Sequence, residues 1–248
     1  MIYLTHTAHQ QFLGLIVGVL AWILTICTAG FNEWRLWYVD DVSVISAGVA
    51  WVGIWRACFY SHAFPSAEYC QSISISDAFV PVEISVAQVL MGLAVICGLV
   101  GNISAAVAVR MVYFSVEDRR NIRLVFVLAG ALYLLTGTFS LVPLVWNMRS
   151  VLHNSTIHFP PEFRLPAAPV RQQVGSAIGV GISASILMLM SSLIFLSYRY
   201  VWRALSSEAP RDPLHDPWTI TTLPQKSELA NGDYQGRNNP AFTSEENS

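Results

Sequence analysis

The sequence predicts a mainly α membrane protein: a left-handed four-helix transmembrane bundle with a small antiparallel β-sheet on its outer side. Three observations predict it. Charged residues make up only 12% of the 248 and hydrophobic residues 54%, whereas soluble domains carry about 25% charged residues. The charges avoid four long apolar runs and crowd the segments between them, as membrane spans require. The segment after the first run is rich in aromatic and β-branched residues and holds two of the four cysteines, which reads as a small sheet closed by a disulfide. The net charge is −2 with no basic block. Nucleic acid is therefore excluded as a partner, because neutralising phosphates takes clustered Lys and Arg.

The first span is expected at 12–31, about 20 uncharged residues, enough to cross a hydrocarbon core of about 30 Å. It is too long for the h-region of a signal peptide and lacks a basic segment before it, so it reads as a retained span. Residues 32–85 form the first loop, with Trp34, Trp37, Trp51 and Trp55 among its aromatics. Pro65, between Cys58 and Cys70, reads as a turn. The second span is expected at 86–109, where Gly92, Gly98, Gly101, Ser104, Ala105 and Ala106 recur. Small residues let helices approach closely in lipid. Asn102 reads as the donor or acceptor of an interhelical hydrogen bond.

An Arg-rich segment, 110–123, reads as cytoplasmic. The third span is expected at 124–146, with Pro143 near its far end and Trp146 at the interface. Residues 147–173 form the second loop, and the fourth span is expected at 174–198. The whole membrane region is taken as 1–205. The remainder, 206–248, is polar and without hydrophobic period, and reads as a disordered cytoplasmic tail. The second loop also carries Arg149, Arg164 and Arg171, so charge bias alone does not orient the chain. A Cys58–Cys70 disulfide does, since it places the first loop in an oxidising compartment and both termini in the cytoplasm. Cys27 and Cys97, inside apolar runs, read as small buried thiols.

The motif that carries most information is Trp34, then Gly53-Ile54-Trp55, then Cys58 and Cys70. This order resembles the claudin signature of Trp, Gly-Leu-Trp, Cys and Cys, with Ile54 replacing the usual leucine. Residues 128–135, 141–146 and 172–177 resemble claudin third spans and the entry to the fourth. The resemblance implies a structural adhesion component of tight-junction strands. Such a protein controls paracellular permeability, lies at cell–cell contacts of the plasma membrane, and associates with itself and other claudins in cis and in trans. The mechanical reading of the signature residues is that they fix the sheet to the helices and touch no partner.

Departures from the resemblance are also legible. Gln88 stands where claudins often carry Arg, and neutral Gln71 follows the second loop cysteine, where some pore-forming claudins place a carboxylate. The C-terminus is Glu-Glu-Asn-Ser, with no apolar end for a PDZ pocket. The candidate pore-lining residues are Asp40 and Asp41, for which solvated turn residues are the alternative. Asn154-Ser155-Thr156 is a glycosylation sequon. His153, His158 and Glu162 lack the spacing of a zinc site. No metal site, no cofactor site and no catalytic motif is found, so an enzyme is not expected. Two alternatives stay open: a four-span auxiliary subunit of a channel or receptor, and a small transporter. The latter would need an ionisable residue within the membrane.

Overall fold

The structure is a computed structural model that describes residues 2–40, 45–61, 64–114, 119–165 and 169–207. Asp41 lies outside the described residues, as does the expected tail except for 206 and 207. Four helices dominate: α1 (Ile2–Gly30), α2 (Val82–Phe114), α3 (Arg119–Leu152) and α4 (Ser176–Ser207). Each contains a stretch long and apolar enough to cross a membrane: His9–Gly30, Val82–Tyr113, Ile122–Leu152 and Ser176–Ser197. The helices outrun the expected spans because apolarity marks only the part in hydrocarbon, while helical geometry continues into polar flanks. α3 accordingly absorbs residues 147–152 of the expected second loop, with Pro143 inside it.

The helices close a ring in which α1 packs on α2, α2 on α3, α3 on α4 and α4 on α1. Leu13, Ile96, Ile103, Leu124 and Leu193 point out of this ring, each more than half exposed, an apolar belt that water would not tolerate. Cys27 is exposed and Cys97 half-buried, which corrects the expectation that both are buried. Cys27 sits on the side of α1 that the bundle does not cover.

Inside, small residues and polar hydrogen bonds join the helices, as lipid requires. Gly98 lies under Trp22, and Gly101 and Gly18 lie against the ring of Tyr133. Tyr133 donates to Asn102 Oδ1 at 2.7 Å, Trp22 Nε1 to the Val95 carbonyl at 2.9 Å, and Ser192 Oγ to the Gly130 carbonyl at 2.8 Å. Asn102 thus makes the interhelical bond expected of it. Gly92 and Gly179 face open space, so not every small residue marks a contact.

One five-stranded antiparallel sheet caps the bundle. Its strands are β1 (Arg35–Tyr38), β2 (Ile45–Val52), β3 (Arg56–Ser61), β4 (Phe64–Ser72) and β5 (Arg171–Val174), in the order β4-β3-β2-β1-β5. The first four strands come from the loop read as a sheet. The fifth comes from the second loop and pairs with β1, Leu36 facing Gln173 and Tyr38 facing Arg171. Pro65 belongs to β4 rather than to a turn. An edge strand tolerates proline because its outer amides have no ladder partner to lose.

The sheet's inner face and the helix ends share a core of Trp34, Trp37, Val52, Ile54, Phe59, Ile84, Met91, Leu144 and Ile178. Phe159 and Phe163 of the second loop complete it, packed in tilted and edge-on contacts with each other and with Phe79.

The junction between sheet and bundle

The candidate functional site is the place where the chain leaves α1 and enters the sheet. Trp34, four residues past the end of α1, turns back and is 1% exposed; its Nε1 donates to the Thr28 carbonyl at 3.0 Å. An indole buried this deeply needs such an acceptor. Gly53, at the β2–β3 turn, donates its amide to the Arg56 carbonyl at 2.9 Å. A Cβ at this position would sit 2.9 Å from Asn32 Cα and 3.1 Å from the Phe31 carbonyl oxygen. The turn lies directly on the exit of α1, and only glycine fits there.

Ile54 is buried and Trp55 is 45% exposed, so the two signature tryptophans differ in environment: Trp34 is interior and Trp55 lies at the surface. Gln88, from the second turn of α2, reaches both ends of the β3–β4 hairpin. Its Nε2 donates to the Ile54 carbonyl at 2.6 Å and the Ile73 carbonyl at 3.0 Å. Gln88 thus tethers α2 to the hairpin through its side-chain amide.

Cys58 and Cys70 face each other across β3 and β4 and form a disulfide. The bridge sits on the sheet's outer face with Trp51, Tyr60 and Glu68, because Trp51 pairs with Cys58 and Tyr60 with Glu68. Gln71 pairs with Ala57 and falls on the opposite, inward face. Replacing either cysteine with serine is expected to destabilise the chain by about 3 kcal/mol on the chain-entropy model. Thermal unfolding of the purified protein in detergent measures this. A shift no larger than that of Cys97→Ser would refute it.

The sequence reading missed a buried ion pair beneath the sheet. Arg35 is charged and lies in the first loop, yet it is 1% exposed. Its Nη2 lies 3.4 Å from Glu83 Oε1 and donates to Asn147 Oδ1 at 2.6 Å. Asn147 Nδ2 returns to the Glu83 carbonyl at 3.1 Å, and Ser150 Oγ donates to Glu83 Oε1 at 2.6 Å. Burial works to lower the Arg35 pKa, and the charge of Glu83 opposes it. Among the described residues, Nε and Nη1 of Arg35 have no hydrogen-bond partner. The available signal was positional: Arg35 directly follows the signature Trp34, and Glu83 opens α2.

The remaining candidates scatter. Asp40 is exposed at the end of β1. Asn154 is exposed and left-handed (φ 52°) just past α3. His153 and His158 are exposed. Among the described residues the one cluster with metal-type ligands is Cys58, Glu68 and Cys70, and its two sulfurs are spent on the disulfide.

A family model described as PMP-22/EMP/MP20/Claudin tight junction matches residues 19–197. Claudin-5 of Mus musculus is 25% identical over 242 residues, covering 94% of this chain and 98% of the relative. Claudin-2 of Homo sapiens is 24% identical over 88% of this chain and 87% of its own length. Claudin-3 of Canis lupus familiaris is 23% identical over 85% and 88%. With four span-length helices, the capping sheet and a family match running through both loops, the chain belongs to the PMP-22/EMP/MP20/claudin family of multi-pass membrane proteins.

Proposed function

We propose that the protein is a structural adhesion component of tight-junction strands that restricts paracellular permeability by associating with copies of itself and with other claudins. The supporting observation is that the family match runs from 19 to 197 and so takes in the sheet and most of the bundle together. Both termini are cytoplasmic in this reading, and the sheet faces the gap between cells. The decisive experiment expresses the chain in cells that lack strands and images their contacts by freeze-fracture. Diffuse surface staining without strands, together with co-purification of a channel, would favour an auxiliary subunit instead.

A barrier fits better than a cation pore. Ions are selected by charges that line their path. Gln71 is neutral and on the inward face, and Asp40 is solvated, where screening over about 8–10 Å weakens its hold on an ion. Monolayers expressing the protein are expected to show raised resistance and a dilution potential that Asp40→Asn leaves unchanged. A Na⁺ preference abolished by joint Asp40→Asn and Asp41→Asn substitution would overturn the barrier.

A further inference from the structure

We infer that the cup between the outer face of the sheet and the ends of α1 and α4 binds a quaternary ammonium group, the choline headgroup of a phosphatidylcholine in the adjoining leaflet. The cup has a volume of about 410 Å³ and is lined by Phe31, Asn32, Glu33, Trp51, Tyr60, Glu68 and Ser176. Two of its walls are aromatic. The rings of Trp51 and Tyr60 stand at 90° with centroids 5.5 Å apart, so the cup has two differently oriented ring surfaces. Two carboxylates, Glu33 and Glu68, complete the lining, and none of the seven residues is a cation. Arg56 stands at the rim, where its Nε donates to Asn32 Oδ1 at 2.9 Å.

The chemistry selects a soft cation. A hard ion such as Ca²⁺ takes six to eight oxygen ligands. Here Glu33 Oε2 already accepts from Ser176 Oγ, and aromatic walls give a hydrated metal nothing. A quaternary ammonium sheds water easily, cannot donate hydrogen bonds, and is attracted to ring faces within about 6 Å of their centroids. The carboxylates supply the matching charge.

The level of the cup selects the source. Phe31 follows the last residue of α1, and Ser176 is the first of α4. Both helices have their span-length stretches end here. The cup therefore opens where the hydrocarbon stops and lipid headgroups begin.

The test uses the full chain in nanodiscs containing equal phosphatidylcholine and phosphatidylethanolamine with identical acyl chains, followed by native mass spectrometry of the lipids that stay bound. The wild type is expected to retain phosphatidylcholine about three- to five-fold over phosphatidylethanolamine, the ratio an exposed cation–π contact supplies. Trp51→Leu should bring the ratio close to one, whereas Glu68→Gln should lower the total lipid retained without bringing the ratio to one, because both headgroups carry the cation that the carboxylate attracts. Tyr60→Phe, which keeps the ring, should preserve the ratio. Glu33 is left intact because it also holds the start of α4. Each variant is first shown to keep the Cys58–Cys70 disulfide by non-reducing electrophoresis. Equal retention of the two lipids by the wild type would overturn the proposal. So would an unchanged ratio in Trp51→Leu, or a Glu68→Gln effect on self-association with no loss of bound lipid, which would assign the cup to a cationic side chain of a second copy. Strand formation is read separately, so the lipid site can fail while the adhesive function stands.

Discussion

Arg35→Met is expected to destabilise the protein by about 3–5 kcal/mol, because it removes one partner of a buried pair and strands the other. Glu83 would lose its countercharge but keep the hydrogen bond from Ser150 Oγ at 2.6 Å. It is also 14% exposed against 1% for Arg35, which places the expected loss toward the lower end. Asn147 would lose the donor to its Oδ1 while its Nδ2 still bridged to α2 and to the Pro143 carbonyl. The double variant Arg35→Met/Glu83→Met should recover much of the loss, since apolar side chains of similar volume often replace a buried ion pair at little cost. Arg35→Lys should fall between, because lysine keeps the charge but not the planar fork. Thermal unfolding in detergent and the fraction reaching the cell surface would be measured for all three. A double variant no better than Arg35→Met would mean that the charge pair is not the reason for the loss.

Gly175→Ala is expected to be at least as damaging, above about 4 kcal/mol, a range that only a few mechanisms reach. A Cβ at Gly175 would overlap the backbone carbonyl oxygen of Glu33 and come within 3.0 Å of the Trp34 carbonyl carbon. The obstacle is main chain, which no rotamer change can move aside. Here the Gly175 amide donates to the Trp34 carbonyl at 3.0 Å and the Ala177 amide to the Glu33 carbonyl at 3.1 Å. Displacing this crossing would unseat the first turn of α4 and the indole of Trp34 together. Gly92→Ala is the matched control: nothing lies within 4 Å of its Cβ, and an added methyl should be neutral or slightly stabilising. Similar unfolding temperatures for the two variants would refute the crossing as a point of rigidity.

The helices were legible because twenty apolar residues in a row have few other uses, and the signature loop because its order of Trp, Gly, Cys and Cys is dense with constraint. Their ends were not, since polar flanks carry no hydropathy signal while the backbone stays helical. β5 was invisible for a different reason. Arg171-Gln172-Gln173-Val174 is short and polar, and it becomes a strand only because β1 offers it an edge. Arg35 and Glu83 misled in the usual way of charges: side chains 48 positions apart give no sign that they will meet in an interior. The two tryptophans of the signature look equivalent in sequence, and only the fold distinguishes the anchored Trp34 from the exposed Trp55.

The pairing of β5 with β1 means that the two loops are not separable modules. Exchanging the first loop with that of a relative transplants four strands but leaves the fifth behind, still shaped for its former neighbour. Of the residues on that seam, Tyr38 Oη donates to Gln173 Oε1 at 2.9 Å and Gln172 Nε2 donates to the Ser155 carbonyl at 2.7 Å. A chimaera that respects the seam must move 35–72 and 171–174 as one cassette. One that does not will confound changes in permeability with a mismatched edge, and the loop exchanged will be credited with effects that belong to the joint.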